Sequence, residues 1–502
     1  MPKIAKERTE ENQRRIEAAA LQLFTTQGFH GTNNREIAEM VGVSTGSIYT
    51  YFASKEAIFS NLARKRRSNL SGWLRAAVAG LKEPLSKRCL KKLAAAVESA
   101  MDRDPQFFLM LLGDVIEFKN KHFREVFHDV PQQFRDVLGT TLEQIRKQPG
   151  WRGEDPAFVL ASIYLYFFTY FLMEKHMQGE QHLGISNERA TECFIDLLFH
   201  GLWRPPRSGH RDSPNQRKET LARRRIVQQA DRDRIGYIRF LSGRLWNLPP
   251  DFPPHNSDRR RGHPMQGPIL FLPAIPRDRI DENQLQIEVA ALELFTRQGF
   301  HGTNIRDIAE KAGVSQGTIY TYYSSKEAIF EGLAQSYRFS MRNFLERVFR
   351  ILEEPFSRSS LRLFAAAMRS MVYEDAEYWL LMYIDVIEFK NQHFLKAFHD
   401  VPEQFRRLLG PAVSRVRKQP GWCGQDPALA MTMIYFYFHT YFVIERLMNG
   451  KQHLGVDDDE AVERFVDLLS DGLWTAAVSP RGARKARTEG GQEAHPSRNG
   501  TQ

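Results

Sequence analysis

Cysteine is scarce: three in 502 residues, Cys89, Cys193 and Cys423, far apart and never in a CxxC spacing. That argues against a disulfide framework and a thiolate zinc site, and it fits a reducing cytoplasm. Glycine-rich phosphate loops and nucleophile elbows are missing, so neither an enzyme nor a cofactor is expected. The amino terminus, MPKIAKERTEENQRR, is charged throughout and lacks the apolar core of a signal peptide. Strand-length alternation is absent too, which leaves an all-α chain. His122, His128 and Asp129, repeated as His393, His399 and Asp400, follow no recognised ligand spacing; capping and surface hydrogen bonds are the expected roles, without a metal.

Long apolar runs are few. The most apolar, Ala157 to Met173, is just long enough to span a membrane, but it carries serine, threonine and tyrosine in its middle and lies between Asp155 and Glu174. A helix buried all round, and no membrane partner, is the expectation.

Positive charge is unevenly placed. The net charge is +10, of which residues 205–271 carry +8 and residues 475–502 carry +3, leaving −1 for the rest of the chain. A broad basic face on the folded parts is therefore not indicated. The segment 205–271 holds 14 Lys+Arg against 6 Asp+Glu, is rich in proline, and reads as a linker; 475–502 reads as a disordered tail. Either attracts DNA non-specifically or serves only as solvated chain.

What is present occurs twice. Asn33 to Lys55 reads NNREIAEMVGVSTGSIYTYFASK, and Asn304 to Lys326 reads NIRDIAEKAGVSQGTIYTYYSSK. Asn33 with Glu36, and Asn304 with Asp307, put a cap and an acid in a first helical turn. Gly42 and Gly313 allow a tight turn, and Ser44 and Ser315 cap a second helix. This is a helix-turn-helix layout whose second helix enters the DNA major groove. The candidate DNA-binding residues are Asn34, Arg35, Ser44, Thr45, Gly46, Ser47, Tyr49, Thr50 and Lys55. Their counterparts are Ile305, Arg306, Ser315, Gln316, Gly317, Thr318, Tyr320, Thr321 and Lys326. Thr45, Ser47 and Thr50 face base edges; Tyr49 and Lys55 lie where phosphates pass.

The run Ala19, Phe24, Gly28, Thr32, Ile37-Ala38, Gly42-Val43-Ser44, Gly46, Tyr49, Phe52, Ser54-Lys55 resembles the DNA-binding domain of the TetR family of bacterial transcriptional regulators. The resemblance spans 10–60 and recurs at 281–331, with Tyr323 in place of Phe52 and Ala312 in place of Val41. It implies a helical ligand-binding and dimerisation domain behind each, here 61–204 and 332–474. A constant offset of 271 aligns the copies without a gap as far as Trp203 and Trp474, with roughly half the positions identical. The repeat restarts at Leu272, opposite Met1, as expected of two fused neighbouring genes.

Helix one is expected over about Glu10 to Gln27, ended by Gly28, with Lys3, Lys6 and Arg8 as a short basic arm, either solvated and mobile or reaching a neighbouring groove or phosphate. Breaks are expected near Pro84, Asp104-Pro105, Pro131, Pro149-Gly150 and Gly179 to Gly184. The apolar helix of each copy, with Ser186 to Trp203 and its counterpart, suits a four-helix pairing surface. The linker, 67 residues long, has a reach on the order of 45 Å. One chain then forms an intramolecular pseudo-dimer; the alternative is a homodimer with four reading heads.

Tyr166, Tyr170 and Glu174 form a stripe, as do Tyr437, Tyr441 and Glu445. With Asp114 and Glu117, or Asp385 and Glu388, they are candidate lining for an aromatic or cationic small-molecule effector, although core packing explains the same stripe. The family resemblance implies a ligand-responsive repressor. The alternatives are a DNA-binding architectural protein without an effector and a protein-interaction module that no longer reads an operator.

Overall fold

The structure, a computed structural model, describes residues 3–201 and 282–472 except positions 80, 82, 149, 153, 178–182, 353, 396–400, 420–421, 423–425, 449 and 451. The linker, the tail, Cys423, His399 and Asp400 lie outside the described residues. Among those described, every regular element is a helix, and β structure is confined to single bridge residues at Trp151 and Trp422.

The first copy runs α1 (Lys3–Gly31), α2 (Asn34–Val41), α3 (Thr45–Tyr51), α4 (Lys55–Ala79), α5 (Lys87–Arg103), α6 (Pro105–Phe118), α7 (Val130–Arg146), α8 (Pro156–His176) and α9 (Asn187–His200). The second runs α10 (Glu282–Gln298), α11 (Ile305–Ala312), α12 (Gln316–Tyr322), α13 (Lys326–Ile351), α14 (Arg358–Glu374), α15 (Ala376–Glu388), α16 (Val401–Leu409), α17 (Pro411–Lys418), α18 (Pro427–Arg446) and α19 (Asp458–Asp471). The expected boundaries recur as caps: Asp104 accepts from Phe107 N at 3.2 Å, Asp129 from Gln132 N at 3.2 Å, and Ser186 from Arg189 N at 3.3 Å.

Two expectations need correction. The amino-terminal arm is helical from Lys3, because no glycine or proline interrupts the chain before Gly28, and Gly28 (φ 74°, ψ 170°) breaks the helix inside the span of α1. The copies also differ in one element. Where α7 is continuous, the second copy has α16 and α17, because Pro411 stands opposite Thr140 and Gly410 adopts φ 43° and ψ −123°. Proline removes a helical N–H and clashes with the preceding turn.

The two most apolar helices lie in the middle of the molecule. Both α8 and α18 are long and apolar enough to cross a membrane, yet 100% and 94% of their most apolar stretches are buried. They pack against each other, and α9 packs against α19. Phe158 meets Phe465 at 5.5 Å between ring centres, and Tyr166 meets Tyr437 at 6.2 Å. A Cβ on Gly201 would lie 2.6 Å from the backbone N of Gly472, so only glycine admits this approach of the last helix ends of the two copies. Backbone bonds cross as well: Val130 N donates to His453 O at 2.9 Å.

Candidate DNA interface

The reading head of each copy is built from short-range capping. Asn33 accepts from Glu36 N at 2.9 Å while Glu36 accepts from Asn33 N at 3.1 Å, closing a capping box. Gly42 adopts φ 77° and Gly313 φ 70°, the left-handed turn that passes the chain to the second helix. Met40, the bulky residue before the first turn, is 47% exposed and leaves that turn undisturbed. Ser44 then caps α3 through Ser47 N at 3.2 Å, and Ser315 caps α12 through Thr318 N at 3.0 Å.

One face of each second helix is buried by a single residue, Ile48 or Ile319. The opposite face is open. Thr45, Gly46, Tyr49 and Thr50 are exposed, as are Gln316, Gly317, Tyr320 and Thr321; Ser47 and Thr318 are half-buried and bonded to Ser44 and Ser315. Tyr49 and Tyr320, at 56% and 55% exposure, are among the few large apolar side chains in water. Asn34 Nδ2 donates to the Tyr49 hydroxyl at 3.1 Å; Ile305 stands opposite Asn34, so Tyr320 lacks that bond. Arg35 and Arg306 are exposed, Arg35 being paired with Glu39 at 2.8 Å.

Lys55 is turned inward. Its ammonium donates to the carbonyls of Phe29 and Thr32, each at 2.6 Å, and sits 4.2 Å from the Phe29 ring centre. Lys326 repeats this on Phe300, at 2.7 Å, and Thr303. Burial lowers the pKa of both amines. Two of the three donors of each are consumed, leaving one for a phosphate.

The other candidates are not gathered into one pocket. Asp114 is fully buried and accepts from His122 Nδ1 at 2.6 Å, His122 N at 2.9 Å and Phe123 N at 3.2 Å. Asp385 repeats this with His393 and Phe394. Both carboxylates brace loops and are spent. Tyr170 donates to Asn187 at 2.8 Å and Tyr441 to Asp458 at 3.0 Å. Glu445 accepts from His453 N and Gln452 N, each at 2.9 Å. Glu174 is buried, and Tyr166 stacks on Phe194 at 3.4 Å. Tyr166 and Tyr437 belong to the packing between the copies, whereas Tyr170, Tyr441 and Glu445 are bonded within their own. Of the histidines weighed for a metal, His122 holds Asp114, and Asp129 caps α7.

Glu117 and Glu388 have another place. They lie under the ends of α1 and α10, where Glu388 accepts from Phe300 N at 3.1 Å and His301 N at 2.7 Å, and Glu117 meets His30 at 2.9 Å. Burial, with the neighbouring Glu117 adding to it, pushes Glu388 up to about 8. A Cβ on Gly28 would lie 3.0 Å from Glu388 Oε1, and one on Gly31 would lie 2.7 Å from His301 Cβ. The two reading heads therefore touch through matching loops. The identical run QGFHGTN, at 27–33 and 298–304, was the available signal for this junction.

The sequence profile described as "Bacterial regulatory proteins, tetR family" matches residues 16–62 and 287–333, the two units just described. The chain is a tandem, two-copy TetR-like protein. Among proteins similar to it, the uncharacterized HTH-type transcriptional regulator YerO of Bacillus subtilis (strain 168) is 22% identical over 205 residues, which is 40% of this chain and 69% of that protein. Nucleoid occlusion factor SlmA of Actinobacillus pleuropneumoniae serotype 5b (strain L20) is 24% identical over 161 residues, 30% of this chain and 79% of that one. A crystal structure of a TetR-family regulator from Shewanella sp. PV-4 covers 37% of this chain and 95% of its own, at 21% identity and a TM-score of 0.24. In this TetR-like chain both matched units come from one polypeptide.

Proposed function

We propose that the chain is a sequence-specific, DNA-binding transcriptional regulator that works as an intramolecular pseudo-dimer, and that it is a ligand-responsive repressor. The observation that carries this reading is the pairing of two exposed reading helices, α3 and α12, on heads that touch through Gly31, His301 and Glu388. Two helices held at one spacing meet successive major grooves on one face of DNA. A ligand that favours a different spacing lowers affinity, because both helices must fit together.

The reading surfaces are unequal. Gln316 offers a bidentate pair to an adenine edge, whereas Thr45 offers a methyl and one hydroxyl. The operator is an imperfect palindrome with half-sites that differ at one or two positions. Selection from random DNA, followed by footprinting with the full-length chain, tests this. One protected imperfect palindrome per chain supports it; a doubled footprint supports two chains with four heads. The similarity to SlmA favours a second reading, DNA binding without an effector, in which the footprint stays unchanged across small molecules.

A further inference from the structure

The two helical domains differ at a buried cluster in the second copy. Tyr337, Ser340, Tyr378, Trp379 and His439 are each at most 4% exposed. The two tyrosine hydroxyls, the serine hydroxyl, the indole N–H and both ring nitrogens of His439 have no hydrogen-bond partner among the described residues. Five such side chains in one place are unusual, since an unpaired buried polar group costs roughly 1–3 kcal/mol. The rings touch: Tyr337 stacks on Tyr378 at 4.6 Å, and Trp379 lies 4.4 Å from His439. At the edge of this cluster Asp375 is 4% exposed, caps nothing, and has no ion pair among the described residues. It lies close enough to Tyr337 and Tyr378 to disfavour their ionisation.

The first copy shows what the same position holds when it is filled. Asp104, opposite Asp375, is paired with the guanidinium of Arg66, and Arg66 is the residue opposite Tyr337. There Phe107, Phe108 and Phe168 replace Tyr378, Trp379 and His439, so the first copy has an apolar wall beside a half-buried ion pair whose Arg66 and Asp104 side chains are 17% and 43% exposed. The second copy has the acid without the cation, and aromatic faces with polar edges around it. A carboxyl group beside tyrosine and tryptophan rings is the chemistry that holds an ammonium or amidinium group.

We propose that this cluster is the closed form of an effector site for an aromatic organic cation, with Asp375 as counter-ion and Tyr337, Tyr378 and Trp379 as walls, and that each chain carries one such site. The inference rests on the ligand-responsive reading above and gives it a place and a charge. The cation occupies the position that the Arg66 guanidinium occupies in the first copy. Its entry parts the Tyr337–Tyr378 stack and gives partners to the orphaned polar atoms. Tyr337 is on α13, the helix leading directly from the second reading head, so parting the stack moves that head.

The test uses benzamidine, benzamide and benzoate, three molecules of one shape with charges of +1, 0 and −1. The full-length chain is titrated with each by calorimetry, and DNA retardation is measured on the same samples. Benzamidine is expected to bind once per chain, at least tenfold tighter than the other two. Asp375→Asn weakens it tenfold or more, and Asp104→Asn leaves it unchanged. Tyr337→Arg supplies an internal guanidinium, abolishes benzamidine binding and leaves the protein folded, which guards against an unfolded Asp375→Asn variant. Two sites per chain, preference for benzamide or benzoate, no saturable binding of benzamidine, or binding indifferent to both second-copy substitutions overturns the proposal. If benzamidine fails on protein that still retards DNA, the effector site is wrong and the DNA-binding reading stands. Binding without any DNA retardation is the reverse.

Discussion

The side-chain amide of Asn120 donates to the backbone carbonyl of Met448, 328 residues away in the other copy, and Asn391 returns the bond to Met177. Both asparagines are fully buried and adopt a left-handed backbone, at φ 56° and φ 58°. Asparagine tolerates that conformation, and its amide reaches a carbonyl at the end of an apolar helix that its own helix cannot satisfy. Asn120→Ala and Asn391→Ala are each expected to cost about 1–3 kcal/mol, because each strands a buried carbonyl. The double variant should lower the urea midpoint of the whole chain; a loss confined to one copy would contradict the cross-brace.

Glu388 gives a pH dependence with a defined sign. Its carboxyl is pushed up to about 8, against an ordinary value near 4.5, so the fold prefers the protonated acid. Stability from this group is complete below that ordinary value and is lost as pH rises through about 8. Glu388→Gln should therefore gain in melting temperature relative to the parent chain as pH goes from 5 to 9. His439, which burial pushes down to about 3, acts in the opposite sense and cancels in that comparison. A difference that stays constant across the range would show that Glu388 is already ionised in the fold.

Lys55→Met removes the two bonds that tie α4 to the end of α1 and the start of α2. The expected result is a loss on the order of 1–3 kcal/mol in stability and a fall in DNA affinity that is similar for every sequence. Lys326→Met should do the same in the second head. A change in sequence preference, measured on a panel of single-base variants, would instead place these amines at base edges.

Gln316→Thr makes the second head resemble the first at its most divergent exposed position. Selected sites should become more symmetric, with about 1–3 kcal/mol of discrimination lost at one base pair of one half-site. Tyr49→Phe should free Asn34 and weaken all sites alike. Unchanged selection by the Gln316 variant would remove this residue from base reading.

The reading heads were legible in the sequence because their signals are local. The Asn33 cap, the Gly42 turn and the Ser44 cap each act within three or four residues, and the structure places all of them as bonds or dihedrals. The breaks at Pro105 and Pro131 are local too. The split of α16 from α17 was equally visible as Pro411 opposite Thr140, but the constant alignment of the copies masked it. The stripe was ambiguous in the sequence for a physical reason: a buried helix has polar hydroxyls at helical spacing whether it faces a cavity or another helix.

The sequence by itself determined most of the helices, their caps, the doubled helix-turn-helix and the unequal exposed residues on its second helices, because these follow from periodicity and backbone preference. Only the tertiary structure decided what Asp114, Glu117, Asn120 and Asp375 do. Each is a polar group whose role depends on which donor, acceptor or ring burial brings to it. Asp114 finds a histidine, Asn120 a carbonyl of the other copy and Asp375 no side-chain partner among the described residues, although all three began as ordinary polar residues in or beside similar helices.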